Sequence, residues 1–216
     1  MPLCRFDLAV LENKKPAFLV GVDEAGRGPL AGPVTACAAW IPLSALSLIS
    51  PLVNDSKKLT APRRERALRL MLDSGVRFGF GFAGPREIDE VNILEATFNA
   101  MGAAVRRLLV YTGAAPSDAL VLVDGQHRIK RLAGCAQEPV IDGDAKSLSI
   151  AAASIYAKVI RDRWLGVLDL RYPGYGLAGH KGYGTAAHLE ALRRLGPCPE
   201  HRLSFAPVRE AAEMAR

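Results

Sequence analysis

Four carboxylates at the ends of apolar runs are the residues of this chain best suited to chemistry. Asp23 and Glu24 close the run FLVGV and lead into Gly26, and Asp124 closes ALVLV just before Gly125. A bare carboxylate at the end of a buried strand is costly to desolvate unless it is paired or binds a cation. Asp-Gly after a strand is also ordinary turn chemistry, so either motif alone is ambiguous. Two such strand ends together, one with a double acid, favour a shared site. Asp144 opens a third acidic segment, GDAKSLSIAAAS, ahead of a helical run. There the competing reading is a cap or first-turn charge favoured by the helix dipole. Asp142, two residues earlier, is its close rival, and local physics does not separate the two. Oxygen donors without an accompanying His/Cys set suit hard ions, Mg²⁺ or Mn²⁺, rather than zinc. Cys198-Pro-Glu-His201 has a C-x-x-H spacing but no second half nearby, so it is not read as a zinc site.

Gly26-Arg27-Gly28 follows the acidic pair directly. Glycines there either make a tight turn or let backbone groups approach a sugar and phosphate closely. Lys57 and Lys58 of DSKKL, and Lys181 with His180, are candidate phosphate contacts, with Lys158 and Arg161 behind them; a solvated surface is the alternative for each. The net charge of +6 and pI of about 9.3 are compatible with a polyanionic partner without requiring one.

The surrounding elements follow from periodicity. Ala17–Gly26, GPVTACAAWIP and Val76–Gly84 read as three consecutive strands, and APRRERALRLMLDSG between the last two as a basic amphipathic helix. From Pro85 to about Leu109, apolar residues recur at helical spacing. Ala119–Gly125 is a buried strand and PVIDGD a short further one. SLSIAAASIYAKVIRDRWLGVLDLRYP reads as one long helix stopped by Pro173, followed by a Gly- and Tyr-rich loop and the helix TAAHLEALRRLG. Three adjacent strands can form a meander, and a crossover helix then returns the fourth beside the first, in parallel. That arrangement sets Asp23 and Asp124 side by side at the edge where open α/β sheets place their sites.

Half of the residues are hydrophobic, so one domain with a full core is expected over 1–216: about 17–170 as its core, 171–216 as a loop and C-terminal helices. The apolar stretch Val34–Ile49 is broken by Pro42 and serines and is no membrane span. The start of the chain shows no secretory pattern, and the four cysteines (Cys4, Cys37, Cys135, Cys198) form no C-x-x-C pair. A reducing, cytoplasmic compartment is expected.

GVDEAGRGPLAGPV, NDSKKLT, EIDEVNILEAT, VDGQ, GDAKSLSIAAASIYAKVIRD and GHKGYGT, in that order, resemble bacterial ribonuclease HII, over about Val20 to Phe205. The resemblance implies a ribonuclease H-like α/β fold: a mixed five-stranded sheet flanked by helices, with a C-terminal helical extension. It implies endonucleolytic cleavage of RNA in RNA–DNA hybrids, especially 5′ to a single ribonucleotide embedded in duplex DNA. The family's acidic positions fall on Asp23, Glu24, Asp124 and, in the GD pair, Asp144. Two Mg²⁺ or Mn²⁺ ions are expected at the site during catalysis, with Asp23 the best candidate to bridge them. Gly26, Arg27 and Gly28 match the family's contacts to the 2′-hydroxyl and flanking phosphates, and Tyr183 matches its junction-sensing tyrosine; a half-buried loop anchor is the alternative for that ring. Hybrid and ribonucleotide-containing duplex are the expected partners of a monomer.

Three rivals stand beside this reading. A ribonuclease HIII-like enzyme usually brings an extra N-terminal domain, whereas fewer than twenty residues precede the first strand here. A catalytically silent hybrid-binding module would not need all four carboxylates. An Asp-nucleophile phosphatase would want Asp-x-Asp where Asp23-Glu24-Ala25 stands.

Overall fold

Short β-branched and small-apolar runs, each closed by a turn residue, build the sheet that carries the acidic residues. The computed structural model describes residues 2–53, 56 and 59–214. Its strands are β1 (Phe18–Ala25), β2 (Val34–Trp40), β3 (Arg77–Ala83), β4 (Ala119–Asp124) and β5 (Ala136–Val140). They form one sheet in the order β3-β2-β1-β4-β5. The first three make the antiparallel meander, and β4 pairs with β1 in parallel, as does β5 with β4. Val22 is in register with Val123, so Asp23 and Asp124 leave their strands at the same level.

The helices, in chain order, are α1 (Pro2–Lys14), α2 (Leu46–Ile49), α3 (Ala61–Asp73), α4 (Pro85–Val91), α5 (Ile93–Thr112), α6 (Leu148–Arg171), α7 (Leu177–His180), α8 (Ala186–Leu195) and α9 (Ala206–Met214). Alternation along the strands divides the core. Val20, Val22, Val121 and Val123 pack against α5 on one face. Leu19, Leu120 and Leu122 face Ile150 at the start of α6 on the other. Gly21 lies on that second face: a Cβ there would come within 2.2 Å of the Ser149 backbone, so the glycine lets α6 lie directly on β1. Asp23 and Asp124 continue the same alternation, toward α6. No helix among the described residues is long and apolar enough to cross a membrane.

Two expectations are corrected. The helix read from Pro85 to Leu109 is two helices, because Asn92 takes a left-handed φ of 72° and its side chain caps α5 through the amides of Leu94 and Glu95. The short strand read as PVIDGD begins at Ala136 and ends at Val140, so Ile141 and Asp142 form a turn instead. The residues before β1, to which periodicity assigned no element, form α1. Its Asp7, 1% exposed, accepts from the amide and hydroxyl of Ser149 and so ties that helix to the start of α6.

Candidate active site

The carboxylates gather where β1 and β4 end. Asp23, Glu24 and Asp124 line one cleft of about 310 Å³ together with Gly26, Ser154, Lys158 and Tyr183. Asp23 is 5% exposed, and its Oδ1 accepts from the Glu24 amide at 2.7 Å. Burial first, then the negative charges of Glu24 and Asp124, hold its carboxyl well above the usual carboxylate range. Burial likewise raises Glu24, with Asp124 adding to the rise; the Arg27 guanidinium, 3.4 Å away, opposes it. Acids that push one another toward protonation are an arrangement a cation would relieve.

Asp124 reaches the third acidic segment through its own side chain. Its Oδ1 accepts from the amides of Gly143 (2.7 Å) and Asp144 (3.3 Å), pinning the 3₁₀ turn Gly143–Ala145 to the end of β4. Within that turn Asp144 is 6% exposed, whereas Asp142 sits on the surface with a φ of 53°. The capping duty that competed for Asp144 belongs to Ser147, whose hydroxyl accepts from the Ile150 amide. All four side chains are hard oxygen donors, which fits Mg²⁺ or Mn²⁺. Among the described residues no three His, Cys, Asp or Glu side chains converge on a point that could hold a metal ion. A larger hollow of about 680 Å³ lies at the opposite strand ends, beside Lys15, Asp118 and Ala136, away from this acidic cluster.

The Gly26–Pro33 loop is held from behind by two arginines buried to 1% and 0% exposure. Arg161 donates to the carbonyls of Pro33, Lys181 and Ala31. Arg202 donates to those of Gly32, Arg27 and Gly26. Burial lowers both guanidinium pKa values, to about 10 for Arg161 and about 9 for Arg202, where Arg161 also repels. Gly26, at a φ of 95°, has no room for a side chain, since a Cβ would lie 1.9 Å from Arg161 Nε. Arg161 is therefore a brace of the loop. His180 is similarly engaged at both ring nitrogens, with the Tyr175 carbonyl and the Gly182 amide. Lys181 lies in the same turn and gives its carbonyl to Arg161. Tyr183 is 48% exposed, its Cε1 3.7 Å from where a Gly28 Cβ would stand. Lys158 pairs with Asp162 at 2.7 Å. Lys57 and Lys58 lie outside the described residues, though Ser56 beside them lines the cleft and bonds Ser154.

Sequence reasoning missed Arg202, Arg64, Ser56 and Ser154. Arg64 lines the cleft and donates to the carbonyls of Ser56 and Leu59. Its only sequence signal was a basic helix face, which reads equally well as solvated. The segment containing Arg202 reads as mere additional helix from sequence; it instead grips the glycine loop, with the Arg202 amide on Leu30 and the Gly32 amide on Glu200.

The model of the ribonuclease HII family matches residues 20–208. A ribonuclease HII of Syntrophobacter fumaroxidans is 52% identical over 192 residues, covering 89% of this chain and 78% of the relative. One of Rhodospirillum rubrum is 52% identical over 203 residues, covering 93% and 89%. Among solved structures, the ribonuclease H2 of Pyrococcus horikoshii superposes with a TM-score of 0.72 at 28% identity, over 91% of this chain and 97% of that one. A ribonuclease HIII solved with Mn²⁺ shares the fold at 19% identity, with a TM-score of 0.75 over 92% and 70%. The chain belongs to the ribonuclease HII family and is a ribonuclease H endonuclease.

Proposed function

We propose that this cleft cuts the RNA strand of RNA–DNA hybrids, and above all the phosphodiester 5′ to a single ribonucleotide embedded in duplex DNA. The observation that carries the reading is the meeting, in one cleft, of Asp23, Glu24 and Asp124 with Gly26 and Tyr183. A hydrolytic centre and a surface able to read a sugar thus share one floor. Asp144 joins them through the turn that Asp124 holds.

Two Mg²⁺ or Mn²⁺ ions bound by Asp23, Glu24, Asp124 and Asp144 would activate water and neutralise charge on the leaving 3′-oxygen. Asp23, the most buried of the cleft acids and the one repelled by both neighbours, would be the central residue in holding them. With the Gly26 and Arg27 carbonyls already engaged by Arg202, the loop meets the 2′-hydroxyl and flanking phosphates through backbone that is held in place. The exposed Tyr183 ring stacks on the neighbouring deoxyribose, so the site senses both sides of a ribo–deoxy junction. Lys57, Lys58 and Lys181 are assigned to phosphates. The enzyme is proposed to act as a monomer in the cytoplasm.

Water as nucleophile leaves 3′-hydroxyl and 5′-phosphate ends. A duplex with one ribonucleotide, incubated with the protein and Mg²⁺ or Mn²⁺, should be cut on the 5′ side of that residue with those ends. A 2′,3′-cyclic phosphate or metal-independent cleavage would refute the mechanism. Preference for long hybrids would favour the ribonuclease HIII-like reading, and binding without cutting would favour a silent module.

A further inference from the structure

Three of the chain's four histidines cluster against the Tyr183 backbone, outside the lining of the carboxylate cleft. The His180 and His188 rings are 4.3 Å apart at 18°, and those of His188 and His201 are 5.2 Å apart. His188, in α8, and His201 are buried, at 0% and 2% exposure. Their hydrogen bonds admit one assignment of protons. The Tyr183 carbonyl can only accept, so His188 Nδ1, 2.9 Å away, carries a proton and donates to it. In the neutral ring Nε2 is then bare, and accepts from His201 Nε2–H at 3.0 Å. His201 Nδ1 is bare in turn, and accepts from the Cys198 amide at 3.0 Å. A polar chain therefore runs from the backbone at Cys198 through two buried rings to the backbone of Tyr183.

The next residue along makes the arrangement purposeful. Arg202 holds the carbonyls of Gly26 and Arg27, while His201 pairs with Ala31 and, through His188, holds Tyr183. One dipeptide, His201-Arg202, thus grips both halves of the surface that reads the sugar. We propose that His188 and His201 are positioning residues for substrate choice: they set the distance between the Tyr183 ring and the Gly26–Gly28 loop, and with it the preference for a ribo–deoxy junction. The inference rests on the role given to Tyr183 above.

The test is the ratio of kcat/KM on a single-ribonucleotide duplex to that on a long hybrid. A role confined to stability would lower both rates alike and leave the ratio unmoved. His188→Phe keeps the ring but cannot donate to the carbonyl, and should cut the ratio about tenfold, the worth of one well-placed hydrogen bond. His188→Asn places an amide N–H near the Nδ1 position and should keep most of the ratio. His188→Gln reaches toward His201 rather than Tyr183 and should lose it, so the Asn and Gln pair decides the matter even if the Phe variant does not fold. Equal ratios in the Asn and Gln variants, or an unchanged ratio in the Phe variant, would overturn the relay. Tyr183→Ala separates the two levels. If it lowers the ratio while the His188 variants do not, the relay alone fails; if it leaves the ratio intact, the Tyr183 reading falls and the relay with it.

Discussion

Asp124 performs two tasks with one carboxylate. Its charge belongs to the acidic cluster, while its Oδ1 accepts the amides that fix the Gly143–Ala145 turn. Asparagine preserves an acceptor at Oδ1 and replaces the second, charged oxygen with a neutral amide NH₂. Asp124→Asn should therefore fold normally, bind hybrid nearly as well, and lose at least about a hundredfold in cleavage, the scale on which disturbed metal sites lose function. Near wild-type cleavage would remove Asp124 from the ligand set. Asp144 and Asp142 make a matched pair at the same scale. The 6%-exposed Asp144 is expected to be as sensitive as Asp124, whereas Asp142→Ala, at an exposed turn, should cost cleavage less than about threefold. Parallel rate measurements on the two variants check it.

Two elements must touch for the acids to meet, and Gly21 is where they touch. A methyl group there would lie 2.2 Å from the Ser149 carbonyl carbon and 2.3 Å from the Ile150 amide nitrogen. Both atoms are backbone, so α6 itself would have to move, carrying the Asp144 turn with it. Gly21→Ala is expected to cost about 1–3 kcal/mol or more in chemical unfolding and to lower kcat in the fraction that folds. A variant with wild-type stability would show that the helix is not seated on β1. The hinge between α4 and α5 offers a contrasting case away from the site. Asn92 caps α5 with a positive φ, so Asn92→Ala removes two side-chain bonds and leaves a strained backbone. It should lose about 1–2 kcal/mol in denaturant melts while kcat stays unchanged.

At the scale of the whole molecule, charge governs how the enzyme meets its substrate and how it responds to acid. With a net charge of +6, hybrid binding should weaken steadily as salt rises, since each neutralised phosphate releases counterions. Binding indifferent to salt from about 50 to 200 mM would rule out phosphate-led association. Stability should also fall on acidification through the histidine cluster. His201 has its pKa lowered to about 4 by burial first and by His188 and His180 next, with the Cys198 backbone bond opposing. Between the ordinary histidine value of 6.5 and 4, the unfolded chain binds the proton that the folded chain refuses. This contribution is complete above that window and is lost as pH falls through it, up to about 3 kcal/mol. Burial shifts Tyr175, Glu200 and Cys198 in the same neighbourhood the opposite way, upward, and does the same to buried Asp7. The difference between wild type and His201→Gln is therefore the quantity to follow: it should shrink from pH 6.5 toward 4, and a constant difference would refute the assignment.

Much of the site was legible because strand-end chemistry is local. An apolar run ending in Asp-Glu or Asp-Gly announces its carboxylates wherever it folds, and short right-handed connections then dictate that β4 returns beside β1. The sequence by itself therefore determined the order of the first four strands, the pairing of Asp23 with Asp124 and, through its motifs, the family. The tertiary structure alone decided which of Asp142 and Asp144 is buried, and that Ser147 rather than Asp144 caps α6. It also decided that Arg161, Arg202, His188 and His201 lie inside the molecule. A lone arginine or histidine, in a helix or a loop, has the same local signature whether it meets water or a buried carbonyl. Its role depends on partners remote in sequence, such as the Gly26 carbonyl for Arg202, and only the folded chain brings those within hydrogen-bonding distance.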